Sequence, residues 1–281
     1  MSIKVMVDSA SDIRPEEAKE MGVIVLPITI TIEDKEYADG VDITPFEFYE
    51  KQKNCKTLPK TSQINTYTFE EEMAKYVSEN DELIVITISS KLSGTYNNAL
   101  QASKKFNGKV KVIDSLNATI GEKILCKLAL RLIEEKKSLN EIVDELELAK
   151  KNIVVMGIVD TLEYLKKGGR ISATVAIAGT LLSVKPILQI IDGEIKMFSK
   201  AIGLKKANSV MNNQVKTNFK IDYNLPCELF WSGFNDEYLQ KYAKDENMPF
   251  YNKQNVGITA LGATIGTHVG PNAVGLAFFR K

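Results

Sequence analysis

Three short runs of β-branched and aliphatic residues, each apolar on both faces, constrain the fold of this chain more than any other feature. They occupy residues 3–7, 83–88 and 110–113. Strands that are apolar on both faces are typical of a parallel sheet covered by helices on each side. Helical patterns separate the runs, and the clearest begins at Pro15, a residue well suited to the first helical position. These features predict an α/β domain with a parallel, Rossmann-like sheet.

The second half of the chain has a different pattern. Strand-like runs at 186–191 and 194–199 flank Asp192-Gly193, a dipeptide typical of a hairpin turn. Further predicted elements are a short helix at 162–169, a helical stretch at 171–183, strands at 227–232 and 275–279, and a helix at 235–246. This mixture predicts an α+β domain with a mixed or antiparallel sheet. A chain of 281 residues favours two domains, and we expect them at 1–157 and 158–281 with a cleft between them.

Composition excludes several classes of function. The 36 basic and 36 acidic residues cancel, which argues against nucleic acid as a partner. Small basic clusters, such as Lys166-Lys167 with Arg170, are predicted to form a solvated face. Three widely spaced cysteines and a single histidine favour neither a disulfide framework nor a metal site. We therefore expect a cytoplasmic protein without a metal or a cofactor.

The most apolar stretch, residues 173–191, approaches the length of a membrane span. It contains Lys185 and Pro186, so a helix followed by a strand is the better interpretation. The sequence therefore predicts no membrane span here, and it is compatible with transient contact with a membrane.

A candidate anion site follows the second apolar run. In open α/β sheets ligands bind beyond the carboxyl ends of the strands, and here the strand leads through residues 89–96 into a predicted helix. The first backbone N–H groups of a helix have no internal partner and attract anions. Ser93 and Thr95 add hydroxyl donors, and Gly94 allows close approach to the backbone. The alternative is that Ser93 only caps the helix.

Two further segments are candidates for the same site. Thr61 and Ser62 form a second hydroxyl cluster ahead of another predicted helix, and helix capping is again the alternative. The sole histidine, His268, lies between Gly266 and Gly270 in a predicted tight turn. A purely structural histidine is equally compatible with that pattern.

These segments, taken in order, resemble the signatures of the DegV family. The resemblance covers essentially the whole chain, with the expected order and spacing. Its motifs are Asp8-Ser9-Ala10-Ser11-Asp12, Asp39-Gly40-Val41, Thr61-Ser62-Gln63, Leu92-Ser93-Gly94-Thr95-Tyr96, Val112-Ile113-Asp114-Ser115, Thr161-Leu162-Glu163-Tyr164-Leu165, Lys167-Gly168-Gly169-Arg170-Ile171, Lys185-Pro186-Ile187-Leu188 and Gly266-Thr267-His268.

The resemblance implies a fatty-acid-binding carrier rather than an enzyme. A long-chain fatty acid would lie in a tunnel between the two domains, with its tail along the helix predicted around 171–182. Thr61 and Ser93 would hold the carboxylate, and His268 would close that end of the pocket. The full set of implied carboxylate-binding residues is Thr61, Ser62, Ser93, Gly94, Thr95 and His268.

A kinase partner is the second implication of the resemblance. FakB-like members of the fatty-acid-kinase system present the bound acid to a separate kinase, which makes an acyl phosphate. An arginine of the family associated with productive engagement of that kinase is replaced here by Ile202. Smaller departures are Asn272 after the histidine motif and the segment 64–66 after the Thr-Ser-Gln triplet. The resemblance thus implies fatty-acid binding with a weakened kinase partnership.

Physical chemistry is compatible with a lipid ligand. Burial of an acyl chain contributes about 0.8 kcal/mol per methylene, whereas a buried carboxylate is costly unless donors surround it. Two hydroxyls, an amide and an imidazole supply such donors, and no arginine is expected among them.

Two other functions use the same residues. One is a serine hydrolase with Ser93 as nucleophile and His268 as base, oriented by Asp8 or Asp114; it lacks the G-x-S-x-G elbow. The other is a nucleotide or sugar-phosphate binder, which lacks a glycine-rich phosphate loop.

Overall fold

The computed structural model describes residues 2–77, 81–171 and 183–281. Its strands are β1 (Ser2–Asp8), β2 (Val23–Leu26), β3 (Thr29–Ile32), β4 (Lys35–Ala38), β5 (Lys60–Ser62), β6 (Asp81–Thr87), β7 (Val110–Asp114), β8 (Ile153–Ile158), β9 (Val184–Ile191), β10 (Glu194–Ile202), β11 (Cys227–Trp231), β12 (Val256–Ala260) and β13 (Val274–Phe279). Its helices are α1 (Pro15–Met21), α2 (Pro45–Asn54), α3 (Thr66–Tyr76), α4 (Thr95–Ser103), α5 (Ile120–Glu134), α6 (Leu139–Ala149), α7 (Glu163–Lys167), α8 (Leu204–Asn218), α9 (Glu237–Ala243) and α10 (Ala263–Val269).

The first sheet is parallel throughout and has the strand order β2-β1-β6-β7. Its two central strands are buried on both faces: Val5 and Met6 of β1 and Leu83 and Ile84 of β6 are fully inaccessible to solvent. The predicted parallel α/β sheet is therefore confirmed. Helix α1 begins at Pro15, as predicted, and Gly22, with φ of 67°, ends it.

The second sheet is mixed, with the order β10-β9-β8-β13-β11-β12. The pair β11–β12 is parallel and the other pairs are antiparallel, which confirms the predicted mixed sheet. Asp192 and Gly193 form the predicted turn between β9 and β10, with φ of 51° and 83°. The strand β8 contains the expected boundary at 157/158 and pairs within this sheet. The division into domains 1–157 and 158–281 stays a prediction.

Helix α5 joins the two sheets. It contacts β1 and β6 of the first sheet and β8, β11 and β13 of the second. Ten of its 15 residues are buried, so it presents an apolar surface on more than one side. Its lysine Lys123 is also buried, and its Nζ donates to Glu17 at 2.6 Å and to Thr259 at 2.9 Å. The helix thus lies inside the molecule, and the buried charge of Lys123 is paired.

A small antiparallel sheet, β4-β3-β5, was not predicted from the sequence. It places Thr61 and Ser62 in β5, where Ile30 pairs with Thr61 and Thr29 with Ser62. The alternative that these hydroxyls cap the next helix is wrong, because Asn65 caps α3 by accepting the N–H of Thr68 at 2.8 Å. The backbone of Thr61 is instead held in a strand.

Among the described residues, no helix is both long enough and apolar enough to cross a membrane. The cysteines Cys55, Cys126 and Cys227 are unpaired. A cytoplasmic location and transient membrane contact stay predictions. The helix predicted at 171–183, and the tail path along it, lie outside the described residues except at Ile171 and Ser183.

Candidate functional site

A cavity of about 450 Å³ lies between the two large sheets. It opens beyond the carboxyl ends of β6 and β7, where Ile88, Leu92 and Ala118 contribute to its wall. The opposite wall comes from the second sheet. The apolar residues that line the cavity are Ile28, Ile88, Leu92, Ala118, Val155, Val159, Leu188, Ile190, Ile195, Phe230, Leu261, Ile265 and Val269.

Most of the polar lining residues contact one another at one part of this wall, and we call them the polar cluster; Thr119, Gln189 and Thr264 also line the cavity. A chain of contacts joins the cluster. The Thr61 hydroxyl bonds His268, whose ring lies against Gly168. Arg170 donates to Gly168 O and to Leu92 O, next to Ser93, and Gln63 lies against Gly94. The cluster therefore occupies one region rather than scattered positions. Its members are Thr61, Ser62, Gln63, Ser93, Gly94, Arg170 and His268.

Five of the six predicted carboxylate-binding residues thus line one cavity. The sixth, Thr95, does not line it and is fully buried. Its hydroxyl lies 2.9 Å from the Ser93 hydroxyl, and its backbone N–H donates to Ser93 Oγ at 3.2 Å. Thr95 therefore orients Ser93 at the start of α4, and Ser93 accepts an N–H of that helix while facing the cavity.

His268 lies in the last turn of α10, so the predicted tight turn is wrong. The motif was misread because glycines flank the histidine, yet Gly266 is a helical residue that makes room for the rings of Phe48 and Tyr49. Only Gly270, with φ of 75°, ends the helix in a conformation that favours glycine.

The imidazole of His268 lies 3.0 Å from Thr61 Oγ1 through its Nε2. Burial, helped by the positive charge of Arg170, lowers the pKa of His268 from 6.5 to about 4, so the ring is neutral at pH 7. Within the described part of the chain, Nδ1 has no hydrogen-bond partner. We therefore assign the ring proton to Nε2, which donates to Thr61 and leaves the Thr61 hydroxyl proton free for a ligand oxygen.

Two glycines bring these groups together. A Cβ added at Gly168 would lie 2.3 Å from His268 Nδ1, so only glycine leaves space for the ring. A Cβ added at Gly94 would lie 1.9 Å from Gln63 Oε1, so the Gln63 side chain rests against the backbone there. Gln63 belongs to the Thr61-Ser62-Gln63 motif and lines the cavity, although it is not among the predicted site residues.

Arg170 was also missed. The expectation of a solvated basic face at this residue is wrong, because Arg170 is half-buried and lines the cavity. Its Nε donates to Leu92 O at 3.2 Å and its Nη1 to Gly168 O at 2.5 Å. The available signal was the Gly168-Gly169-Arg170 run, in which Gly168 leaves room for the His268 ring and Gly169 adopts a positive φ of 70°.

The hydrolase arrangement is not formed among the described residues. Ser93 bonds Thr95 and His268 bonds Thr61, and no hydrogen bond joins Ser93 to His268. Asp8 accepts the N–H groups of Ala10 and Ile88 at 2.9 and 2.8 Å. Asp114 likewise accepts backbone N–H groups, those of Ser90 and Leu116. Neither carboxylate orients the imidazole as a triad requires.

Comparison with known proteins identifies the family of this chain. The model of the family described as "uncharacterised protein, DegV family" matches residues 2–281. The chain belongs to the DegV family. A DegV domain-containing protein of Caldanaerobacter subterraneus is 35% identical over 280 residues, which is 99% of each chain.

Solved structures of DegV proteins share the fold over the full length of this DegV-family chain. One is a structure of a DegV family protein from Thermus thermophilus that is described as showing fatty acid binding. It has a TM-score of 0.88 at 30% identity, and the match covers all of both chains. Another, of DegV from Bacillus subtilis, described as a fatty acid binding protein, has a TM-score of 0.82 at 28% identity, also over all of both chains. The predicted family and fold class are confirmed.

Proposed function

We propose that this chain is a carrier that binds a long-chain fatty acid, with the carboxylate at the polar cluster and the acyl tail in the apolar part of the cavity. One observation carries the proposal. Thr61 and His268, 207 residues apart in the sequence, bond each other on the wall of a largely apolar cavity that Ser93 also lines. The relatives from Thermus thermophilus and Bacillus subtilis, described as binding fatty acids, support the same ligand class.

The donors of the polar cluster match the needs of a carboxylate. An ionised carboxyl group has about four acceptor sites. The Thr61 hydroxyl has a proton available once Nε2 of His268 donates to its oxygen, and Ser93 supplies a second hydroxyl. Arg170 adds a positive charge nearby, which offsets part of the desolvation of an anion. The fatty acid would therefore bind in its ionised form.

The apolar walls supply the larger part of the affinity. A long acyl chain contributes roughly 10 kcal/mol gross at about 0.8 kcal/mol per buried methylene. A carrier needs a gain on this scale, because a membrane solvates the same tail. A nucleotide or sugar phosphate would leave these aliphatic walls without complementary surface, so a lipid is the better ligand. The bonds of Ser93 and His268 to threonines favour binding over hydrolysis.

Lipid extraction tests this proposal directly. Protein purified from a bacterial host is expected to carry about one fatty acid per chain, because a cavity of this kind retains an apolar ligand against dilution. Mass spectrometry of a denaturing organic extract measures it, with an unrelated protein purified from the same host as control. An extract without stoichiometric lipid, together with thermal stabilisation by phosphate compounds but not by fatty acids, would contradict the proposal.

Presentation of the bound acid to a kinase is the finer role that we propose. Ile202, at the end of β10, exposes 74% of its surface and so is available to a partner protein. Ile202→Arg is expected to raise acyl-phosphate formation with a cognate fatty-acid kinase about tenfold, the effect of one added charged hydrogen bond.

Ile258→Arg is the matched control for the kinase assay. Ile258 is 60% exposed on β12, the opposite edge strand of the same sheet. If the effect depends on the position of residue 202, a positive charge added at residue 258 should leave the rate of acyl-phosphate formation unchanged. Equal rates for the wild type and both variants would show that the departure at Ile202 is irrelevant.

A further inference from the structure

Two of the family motifs that contribute no residue to the cavity wall lie within the first 41 residues of the chain. They are Asp8-Ser9-Ala10-Ser11-Asp12 and Asp39-Gly40-Val41. The side chains of Asp12 and Asp39 are nevertheless fully buried. Burial of a carboxylate is costly unless it accepts several hydrogen bonds. The partners of these two carboxylates therefore indicate what they do.

Both carboxylates bond the start of α10, the helix that carries His268. Asp39 accepts the N–H of Ala263 at 3.2 Å and that of Thr264 at 3.0 Å. Asp12 accepts the N–H of Gly262 at 2.7 Å. Three consecutive backbone donors of this helix start are thus satisfied by carboxylates more than 200 residues away in the sequence.

Arg14 links the two carboxylates to the strand that precedes the helix. Its Nη2 donates to Asp12 Oδ1 at 3.2 Å and to Ala260 O at 3.1 Å, and its Nη1 lies 3.7 Å from Asp39. A Cβ at Gly262 would lie 2.2 Å from Arg14 Nη2, so the guanidinium rests directly on the chain there.

Helix α10 depends on such external bonds. It has only seven residues, and Gly262 at its N-cap position has no side chain to accept an N–H. A helix of two turns is marginal without tertiary contacts. A shift at its start would be transmitted to His268 in its last turn, where the contact between Nε2 and Thr61 is only 3.0 Å.

We propose that Asp39, together with Asp12 and Arg14, is a positioning residue that holds α10 so that His268 meets Thr61 at the cavity. That the position of the His268 imidazole matters for a ligand rests on the proposed fatty-acid binding. That Asp39 determines this position does not depend on that proposal. The network connects motifs of the first half of the chain to the imidazole near its end.

His268 provides its own readout, because it is the only histidine in the chain. Its imidazole signal in a proton–carbon NMR spectrum is free of overlap, and its pH titration reports burial. In the wild type the pKa should be about 4. Asp39→Asn keeps one acceptor for two N–H groups, and Asp39→Ala keeps none. We expect the His268 pKa to rise toward 6.5 in that order as the ring becomes more exposed.

Binding of palmitic acid by the full chain is the second measurement. Asp39→Asn should weaken it about tenfold, comparable to the loss of one hydrogen bond at the headgroup. Asp34→Asn serves as the control, because Asp34 is an exposed turn residue with φ of 66°, a conformation that asparagine adopts well.

The outcomes separate the two proposals. If the wild type fails to bind palmitic acid, the fatty-acid proposal fails while the His268 titration still tests the placement of the ring. If Asp39→Asn lowers the melting temperature but leaves the His268 signal, its pKa and the palmitic acid affinity unchanged, Asp39 is only a structural residue and the inference is overturned. Asp39→Asn alone suffices for this decision if Asp39→Ala does not fold.

Discussion

Glu122→Gln is expected to stabilise the protein increasingly as the pH rises from the ordinary glutamate pKa toward the raised pKa of Glu122 in the folded protein, by about 1.4 kcal/mol per pH unit within that interval. Glu122 is fully buried in α5, and within the described residues its carboxyl oxygens make no hydrogen bond of ordinary geometry. The nearby backbone N–H of Asp8 offsets only part of the cost of a charge at this position. Burial, together with the charges of Asp8 and Asp12, raises its pKa well above 4.5. The folded protein therefore keeps a proton on Glu122 that the unfolded chain has already released.

The sign follows from proton binding. Above pH 4.5 the unfolded state binds fewer protons at this position than the folded state, so the free energy of unfolding falls as the pH rises. Glutamine cannot ionise, so the contribution of this position to the pH dependence of stability disappears. Any fixed cost of burying its amide shifts the curve but does not change its slope.

In the wild type the titration of Asp8 also lowers the free energy of unfolding as the pH rises. Burial raises its pKa from 3.8 to about 7, despite hydrogen bonds from Ile88 and Ala10 that favour the charged form. A shift of this size corresponds to a loss of about 4 kcal/mol on going from acid pH to above the folded pKa. His268 acts in the opposite sense, because its folded pKa of about 4 lies below 6.5 and stability is lost as the pH falls through this interval.

Because these contributions oppose each other, the difference between variant and wild type is the informative quantity. Urea unfolding of both proteins at about pH 5, 6, 7 and 8 measures this difference in the free energy of unfolding. Glu134→Gln is the matched control, since Glu134 lies on the same helix and is exposed. Parallel curves for Glu122→Gln and the wild type would show that Glu122 ionises normally in the folded protein.

Ser93→Ala is expected to weaken palmitic acid binding about 10- to 100-fold, which corresponds to roughly 1–3 kcal/mol for a carboxylate oxygen left without a donor. Thr61→Val should have the larger effect of the two, because it removes a donor and also leaves Nε2 of His268 without its partner. Valine keeps the shape of threonine, so the cavity wall is preserved. Calorimetric titration of lipid-free protein measures both affinities.

A matched ligand separates headgroup binding from damage to the fold. Palmitic acid methyl ester has the same tail but no negative charge, so its affinity should change much less in both variants. Ser103→Ala, at the exposed C-terminal end of α4, controls for loss of a serine hydroxyl on this helix. Equal losses for acid and ester would remove Ser93 from the headgroup site.

Local sequence signals predicted the elements whose cause is local. Helix α1 matched because Pro15 and Gly22 mark its ends, and the β9–β10 turn matched because Asp192-Gly193 adopts positive φ. The strands β2 to β5 were missed, since each has only three or four residues and the pairing that stabilises them comes from distant segments. The helix around His268 was missed for a related reason: the carboxylates that hold its start are far away in the chain.

The sequence by itself determined the family, the parallel and mixed sheets, and the kinds of side chain available for an anion. It also pointed to five residues that line one cavity, although their binding roles stay predictions. Only the tertiary structure decided that Arg170 faces the cavity, that Thr61 bonds His268, and that Asp39 holds the helix start. The physical reason is that burial and long-range contact set hydrogen-bond partners and pKa values, and neither is a property of neighbouring residues in the chain.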